Sequence, residues 1–148
     1  MAHDEAESAA IKLSELVEAF EFVSVSELGE HQAYICRKTG RIYFVSENIN
    51  IEEELPEDLT ESEQYESVPH RRDLALGKRV ALSFVEEELP ALLPEAREIF
   101  GHKGAYGKFK RLLDVNGILD RWYVFEERAA EAALREWSDE VGLILVED

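Results

Sequence analysis

The stretch Ala33-Tyr34-Ile35-Cys36-Arg37-Lys38-Thr39-Gly40-Arg41-Ile42-Tyr43-Phe44-Val45 decides the fold class. Its two outer runs are rich in β-branched and aromatic residues, which suit a pleated, half-buried surface. Four turn-compatible residues separate them, and Gly40 can take the positive φ of a tight hairpin turn. The pattern predicts an antiparallel hairpin over about residues 33–45.

Upstream, Leu13, Leu16, Val17 and Phe20 fall at helical spacing and predict a helix over about residues 10–22. Its start admits two readings. Asp4 with Glu7 forms a capping-box pattern, and Ser14 offers an internal N-cap after a short extended piece. Downstream, the segment from Glu47 to Glu66 holds nine acids, no base and no glycine. Leu55-Pro56-Glu57-Asp58 interrupts any helix there, so residues 47–64 read as an irregular acidic loop. A third short strand at Tyr65 to Val68 follows.

Pro69 then opens a helical stretch in which Leu76, Val80 and Phe84 recur every four residues, and Pro90 closes it. A short helix over about 91–100 tolerates Pro94 in its first turn and stops at Gly101. Another covers about 105–116, with Phe109, Leu112 and Leu113 inward and Gly117 after it. The last helix has the clearest period. Asp120 reads as its N-cap, Leu119 with Val124 as a hydrophobic staple, and Phe125, Ala129, Ala133, Trp137 and Val141 as its inner face. Leu143 to Val146 reads as a closing strand.

With 148 residues, 45% of them hydrophobic, the chain suits one ordinary domain and argues against wholesale disorder. Apolar runs stop at four residues, as in Leu143 to Val146, so no membrane span is expected. The acids of the first seven residues do not fit a secretion signal, and the single cysteine, Cys36, excludes an internal disulfide. The expected location is the cytoplasm. The net charge of −17 is unevenly spread: −13 over residues 1–66, +2 over 67–121 and −6 over 122–148. A basic island in an acidic chain disfavours general nucleic-acid binding, because phosphate meets repulsion over most of the surface.

Two features of that island offer an anion site. In the first, Gly101-His102-Lys103-Gly104-Ala105-Tyr106-Gly107-Lys108-Phe109-Lys110-Arg111 places three glycines and several bases at the start of a helix, whose unpaired N–H groups attract anions. It is not a phosphate loop of the Walker type, since His102 and Phe109 stand where glycine and Ser/Thr are needed. Gly101 to Gly104 superficially matches the loop of a KH RNA-binding module, but Gly107 falls at an apolar position and a helix, not a strand, precedes it. The simpler reading is a helix stop, a turn and a helix start. In the second, His70-Arg71-Arg72 puts bases at a helix start, against the helix dipole, and so calls for acids of the Glu52 to Glu66 segment or an external anion.

Catalytic patterns are missing. The four histidines lack paired metal-ligand spacing, no serine sits in a nucleophile elbow, and Cys36 on a strand reads as a small buried hydrophobe. The acidic segment lacks the glycine and alternating ligands of a calcium loop. Trp122, Phe125 and Trp137 read as core, while Tyr123 projects toward the surface beside Arg121 and Lys110.

One resemblance emerges from these residues. Gly104-Ala105-Tyr106, Phe109-Lys110, Leu112-Leu113, Leu119-Asp120, Trp122-Tyr123, Phe125, Arg128 and Trp137 together resemble the C-terminal half of a bacterial family known as uncharacterised protein family 0158. Leu13, Leu16, Ala19-Phe20, Thr39-Gly40, Leu55-Pro56 and Val68-Pro69 with Arg71-Arg72 extend the similarity upstream. The resemblance implies a bacterial, cytosolic, single-domain protein and carries over no catalytic or binding residue.

The expected architecture is α+β, a small antiparallel sheet built on the hairpin and packed with a C-terminal helical layer, in one domain over 1–148. The expected role is non-catalytic binding or regulation through an unidentified protein partner, with no cofactor and no metal. The alternative is nucleic-acid or nucleotide-phosphate binding through segment 70–111. Arg71, Arg72, His102, Lys103, Gly104, Lys108, Lys110, Arg111 and Tyr123 form the candidate anion or partner surface.

Overall fold

A computed structural model describes residues 9–25, 30–46, 55–60, 63–74 and 76–147. After a strand and a helix come three consecutive strands, then a run of helices and a closing strand, and the class is α+β. The chain divides into two compact units, one of Met1–Leu74 with Glu131–Asp148 and one of Ala75–Ala130.

The first unit is built on the predicted hairpin. Strands β2 (His31–Cys36) and β3 (Ile42–Ser46) pair antiparallel with Ile35 opposite Ile42 and Ala33 opposite Phe44, the hairpin reaching two residues before and one residue after its expected span. Gly40 turns the chain at φ +76°, and its N–H donates to the Cys36 carbonyl at 2.8 Å. A β-carbon there would stand 3.1 Å from the Ala10 carbonyl oxygen, so close backbone approach also requires glycine. The third strand, β4 (Tyr65–Ser67), pairs antiparallel with the other edge of β2, which makes β2 the central strand. Centrality explains why Ala33, Ile35 and Cys36 are buried while all of β3 is half-buried.

The N-terminal segment resolves in favour of its extended reading. Residues Ala10–Lys12 form β1, and α1 (Leu13–Ser24) follows directly, with Lys12 rather than Ser14 at the N-cap position and no side-chain cap. Asp4 and Glu7, the other capping pair, lie outside the described residues. Helix α1 buries Leu13, Leu16, Ala19, Phe20 and Val23 and packs on β2. Strand β1 runs parallel to the closing strand β5 (Ile144–Val146), with Ile11 opposite Leu145. Each Leu or Phe buried in this way contributes about 1.5–3 kcal/mol.

Of the expected acidic loop, residues 47–54 and 61–62 lie outside the described residues. Its described parts are turns, but Leu59 is buried and Gln64 accepts a backbone hydrogen bond from Arg37 at 2.8 Å. Arg37 also donates to the Glu63 carbonyl at 3.2 Å and pairs with Glu66, tying this end of the segment to the hairpin turn.

The helical stretch expected after Pro69 is not continuous. A four-residue 3₁₀ turn, Arg71–Leu74, closes the first unit's leading segment, and α2 (Lys78–Glu88) begins only after Gly77. In the second unit the 3₁₀ turn Pro90–Leu92 leads into α3 (Leu93–Ile99), then α4 (Ala105–Val115), and then the start of α5 (Leu119–Val141). Ala81, Phe84, Val85, Ala96, Phe109, Leu113, Ile118 and Trp122 make its core.

Helix α5 begins two residues earlier than expected. The Ile118 carbonyl accepts the Trp122 N–H at 3.1 Å, so Asp120 lies within the first turn and is not the cap. The proposed staple fails with it, since Val124 is 48% exposed. The buried stripe is Trp122, Ala130, Leu134 and Ser138, displaced by one residue from the expected Ala129, Ala133 and Trp137, which are half-buried. Ser138 tolerates burial because its hydroxyl donates to the Leu143 carbonyl at 3.3 Å.

Candidate functional site

The residues of the expected anion surface belong to both units. Arg71 and Arg72 belong to the first unit, and His102, Lys103, Gly104, Lys108, Lys110, Arg111 and Tyr123 to the second. The Arg71 guanidinium lies 5.3 Å from the centre of the Phe20 ring, and its backbone N–H donates to Ser24 Oγ at 3.0 Å. The dipole conflict expected at this point disappears, because a single 3₁₀ turn has little macrodipole to oppose. Asp73 caps the turn by accepting the His70 N–H at 3.0 Å, and His70 Nδ1 accepts the Arg72 N–H at 3.1 Å. Glu66, one of the acids expected to compensate Arg71 and Arg72, is engaged by Arg37, and residues 52–54 and 61 lie outside the described residues.

In the second unit, His102 and Lys103 are exposed in the turn before α4, and Gly104 caps that helix at φ +70°. Lys108 and Arg111 are exposed three residues apart, on one face of α4. Lys110 turns away from them and sets its ammonium 5.0 Å from the centre of the Tyr106 ring. Tyr123 is 46% exposed.

The feature that sequence reasoning missed is a groove in the second unit. It has a volume of about 410 Å³ and lies along α2 and the first three turns of α5. Phe84 and Glu88 come from α2, while Asp120, Arg121, Val124, Phe125 and Arg128 come from α5. The Phe84 and Phe125 rings meet at 5.2 Å, and Phe84 also meets the buried Trp122 at 5.4 Å. The groove's apolar surface is therefore backed by an aromatic cluster that cannot shift without disturbing the core. Arg121 Nη1 and Glu88 Oε1 form an ion pair at 2.7 Å between the two helices. Arg128 and Asp120 make no ion pair among the described residues. A signal for this groove was present in the sequence, in the spacing of Asp120, Val124 and Arg128 at four-residue intervals.

A second, smaller depression of about 170 Å³ in the first unit is lined by polar side chains, among them His31, Gln32, Tyr34, Ser67, His70 and Asp73. Among the described residues, no three His, Cys, Asp or Glu side chains are placed to hold a metal ion, and no helix is long and apolar enough to cross a membrane. Burial alone would push the Cys36 thiol up. Hydrogen bonds from the Thr39 side chain and backbone, the Gln64 amide and the Lys38 backbone outweigh it and hold the thiol below its ordinary value. Compared with known proteins, the chain matches no family model, no curated protein and no solved structure.

Charge divides as sharply as the fold does. The second unit holds nine Lys/Arg and nine Asp/Glu, so the whole formal excess of −17 belongs to the first.

Proposed function

We propose that this protein is a non-catalytic binding or regulatory protein that engages a protein partner through the groove along α2 and α5. The observation that carries the reading is the open groove of about 410 Å³, floored by the half-buried Phe125 over the buried Phe84 and edged by the half-exposed Val124. Aromatic anchors at the centre with charged residues at the rim are the usual anatomy of a protein interface. The neutral second unit supports the same reading, because a partner approaching it meets no local excess of negative charge. Kinship with uncharacterised protein family 0158, resting on the residues quoted above, stays part of the proposal and adds no ligand to it.

The test is site-specific photocrosslinking. A benzophenone amino acid at position 124 should capture a discrete protein from native lysate, and the same probe at the exposed position 136 should not. Capture at neither position, or equally at both, would sink the reading.

A further inference from the structure

Resting on that reading, we propose that the groove takes one class of partner segment, a short amphipathic helix lying antiparallel to α5, with its acid on Arg128 and its base on Asp120. Three observations converge on this occupant. The first is length. Asp120, Val124 and Arg128 stand at four-residue intervals on one face of α5, so the ridge they form runs about 12 Å, two turns of a second helix. Helix-in-groove recognition uses anchors of this spacing.

The second is the apolar surface between the charges. Val124 is 48% exposed, and beside it the half-buried Phe125 is backed by the fully buried Phe84. The groove is open along its length, whereas a small ligand is held where most of its surface is enclosed. An extended apolar side of a helix fills such a groove with two or three side chains.

The third is charge. The Glu88–Arg121 pair neutralises itself across the groove. Asp120 and Arg128 remain, opposite in sign and at opposite ends of Val124, with no ion pair among the described residues. A partner helix is itself favoured by an acid in its first turn and a base in its last. Such a helix pairs its acid with Arg128 and its base with Asp120 only when it runs antiparallel to α5. The charge order therefore selects a direction as well as a partner class.

The probes are two fluorescent, lactam-locked helical peptides with the same apolar stripe. One carries Glu in the first turn and Lys in the last, and the other reverses them. Anisotropy titration of the full chain should show the first binding roughly tenfold tighter than the second. Val124→Glu should weaken it by roughly tenfold or more, and the double change Asp120→Arg with Arg128→Asp should transfer the preference to the reversed peptide. All three positions are exposed, so folding is expected to survive, which circular dichroism checks. Equal affinity for both peptides, no binding of either, or binding indifferent to Val124→Glu would overturn the proposal. So would a concentration-dependent dimer abolished by Val124→Glu, which would make a second copy the occupant. Crosslinking at position 124 without peptide binding would overturn the helix proposal alone and leave the protein-binding role standing.

Discussion

Trp122 donates its indole N–H to the Tyr106 hydroxyl at 3.3 Å, tying the buried start of α5 to the first turn of α4. The Tyr106 hydroxyl in turn meets Glu126, one turn further along α5. The indole itself is 1% exposed and packs against Phe84, Phe109, Tyr106 and Phe125. One side chain thus joins the core of the second unit to the wall of the groove, so the groove's shape rests on the same packing that holds the fold.

Trp122→Ala is accordingly expected to cost about 3–5 kcal/mol, a large part of the roughly 5–15 kcal/mol available to a domain. Tyr106→Phe keeps the ring and loses only hydrogen bonds, at a cost of about 1 kcal/mol. Urea titration followed by circular dichroism checks both. A Trp122→Ala loss below that of Tyr106→Phe would show that the cluster does not carry the unit's stability.

The glycines before and within α4 separate a structural role from a ligand role. Gly104 has φ +70°, where an L-residue costs roughly 1–2 kcal/mol, so Gly104→Ala is expected to destabilise by about that amount. Gly107 sits inside the helix, and a β-carbon there meets nothing within 4 Å. Gly107→Ala is therefore expected to stabilise by about 0.5–1 kcal/mol, and thermal melts of the two variants should move in opposite directions. A destabilised Gly107→Ala would contradict the open space around that position.

How much of this was legible beforehand varies with the range of the interaction that decides it. The hairpin at β2 and β3 was legible because a local turn at Gly40 and local periodicity specify it. Strand β1 was legible only as one of two readings, because the three residues Ala10–Lys12 become a strand by pairing with Ile144–Val146 at the other end of the sequence. On α5 the apolar period was read correctly and its phase was off by one. Ala129, Ala133 and Trp137 looked like the inner face, yet the buried line runs through Leu134 and Ser138. A serine gives no hydrophobic signal, and its acceptor at Leu143 is set by the helix end. The basic island was legible as composition. Its residues divide between two units, and ring contacts at Phe20 and Tyr106 engage Arg71 and Lys110.

Cys36 provides a test by pH. Its thiol is held below the ordinary value, near 8.5 for a free thiol, so the folded state loses this proton at a lower pH than the unfolded state. Between the two values the unfolded chain binds more protons, and stability rises with pH. The contribution is fully present above the unfolded value and is lost as pH falls through the folded one. Cys36→Ala should therefore cost more stability, relative to the parent, at alkaline pH than at neutral pH. Denaturation midpoints of the two proteins at both pH values check it, and a gap that narrows as pH rises would reverse the sign.

The basic face of α4 decides between protein and nucleic-acid binding. Single-stranded RNA should show no affinity at about 0.15 M salt, the physiological ionic strength. The second unit, which carries α4, has no net positive charge to attract phosphate, Lys110 is turned to the Tyr106 ring, and Lys108 with Arg111 offers a pair of exposed charges on the helix. If phosphate contacts do form, log affinity must fall with log salt by about 0.7 per contact. Replacing Lys103, Lys108 and Lys110 together by glutamine should then remove binding while leaving the melting temperature nearly unchanged, apart from the small loss of the Lys110–Tyr106 contact. Filter binding across a salt series checks this. Tight binding at physiological salt that disappears in the triple variant would displace the protein-partner reading and make α4, not the groove, the functional surface.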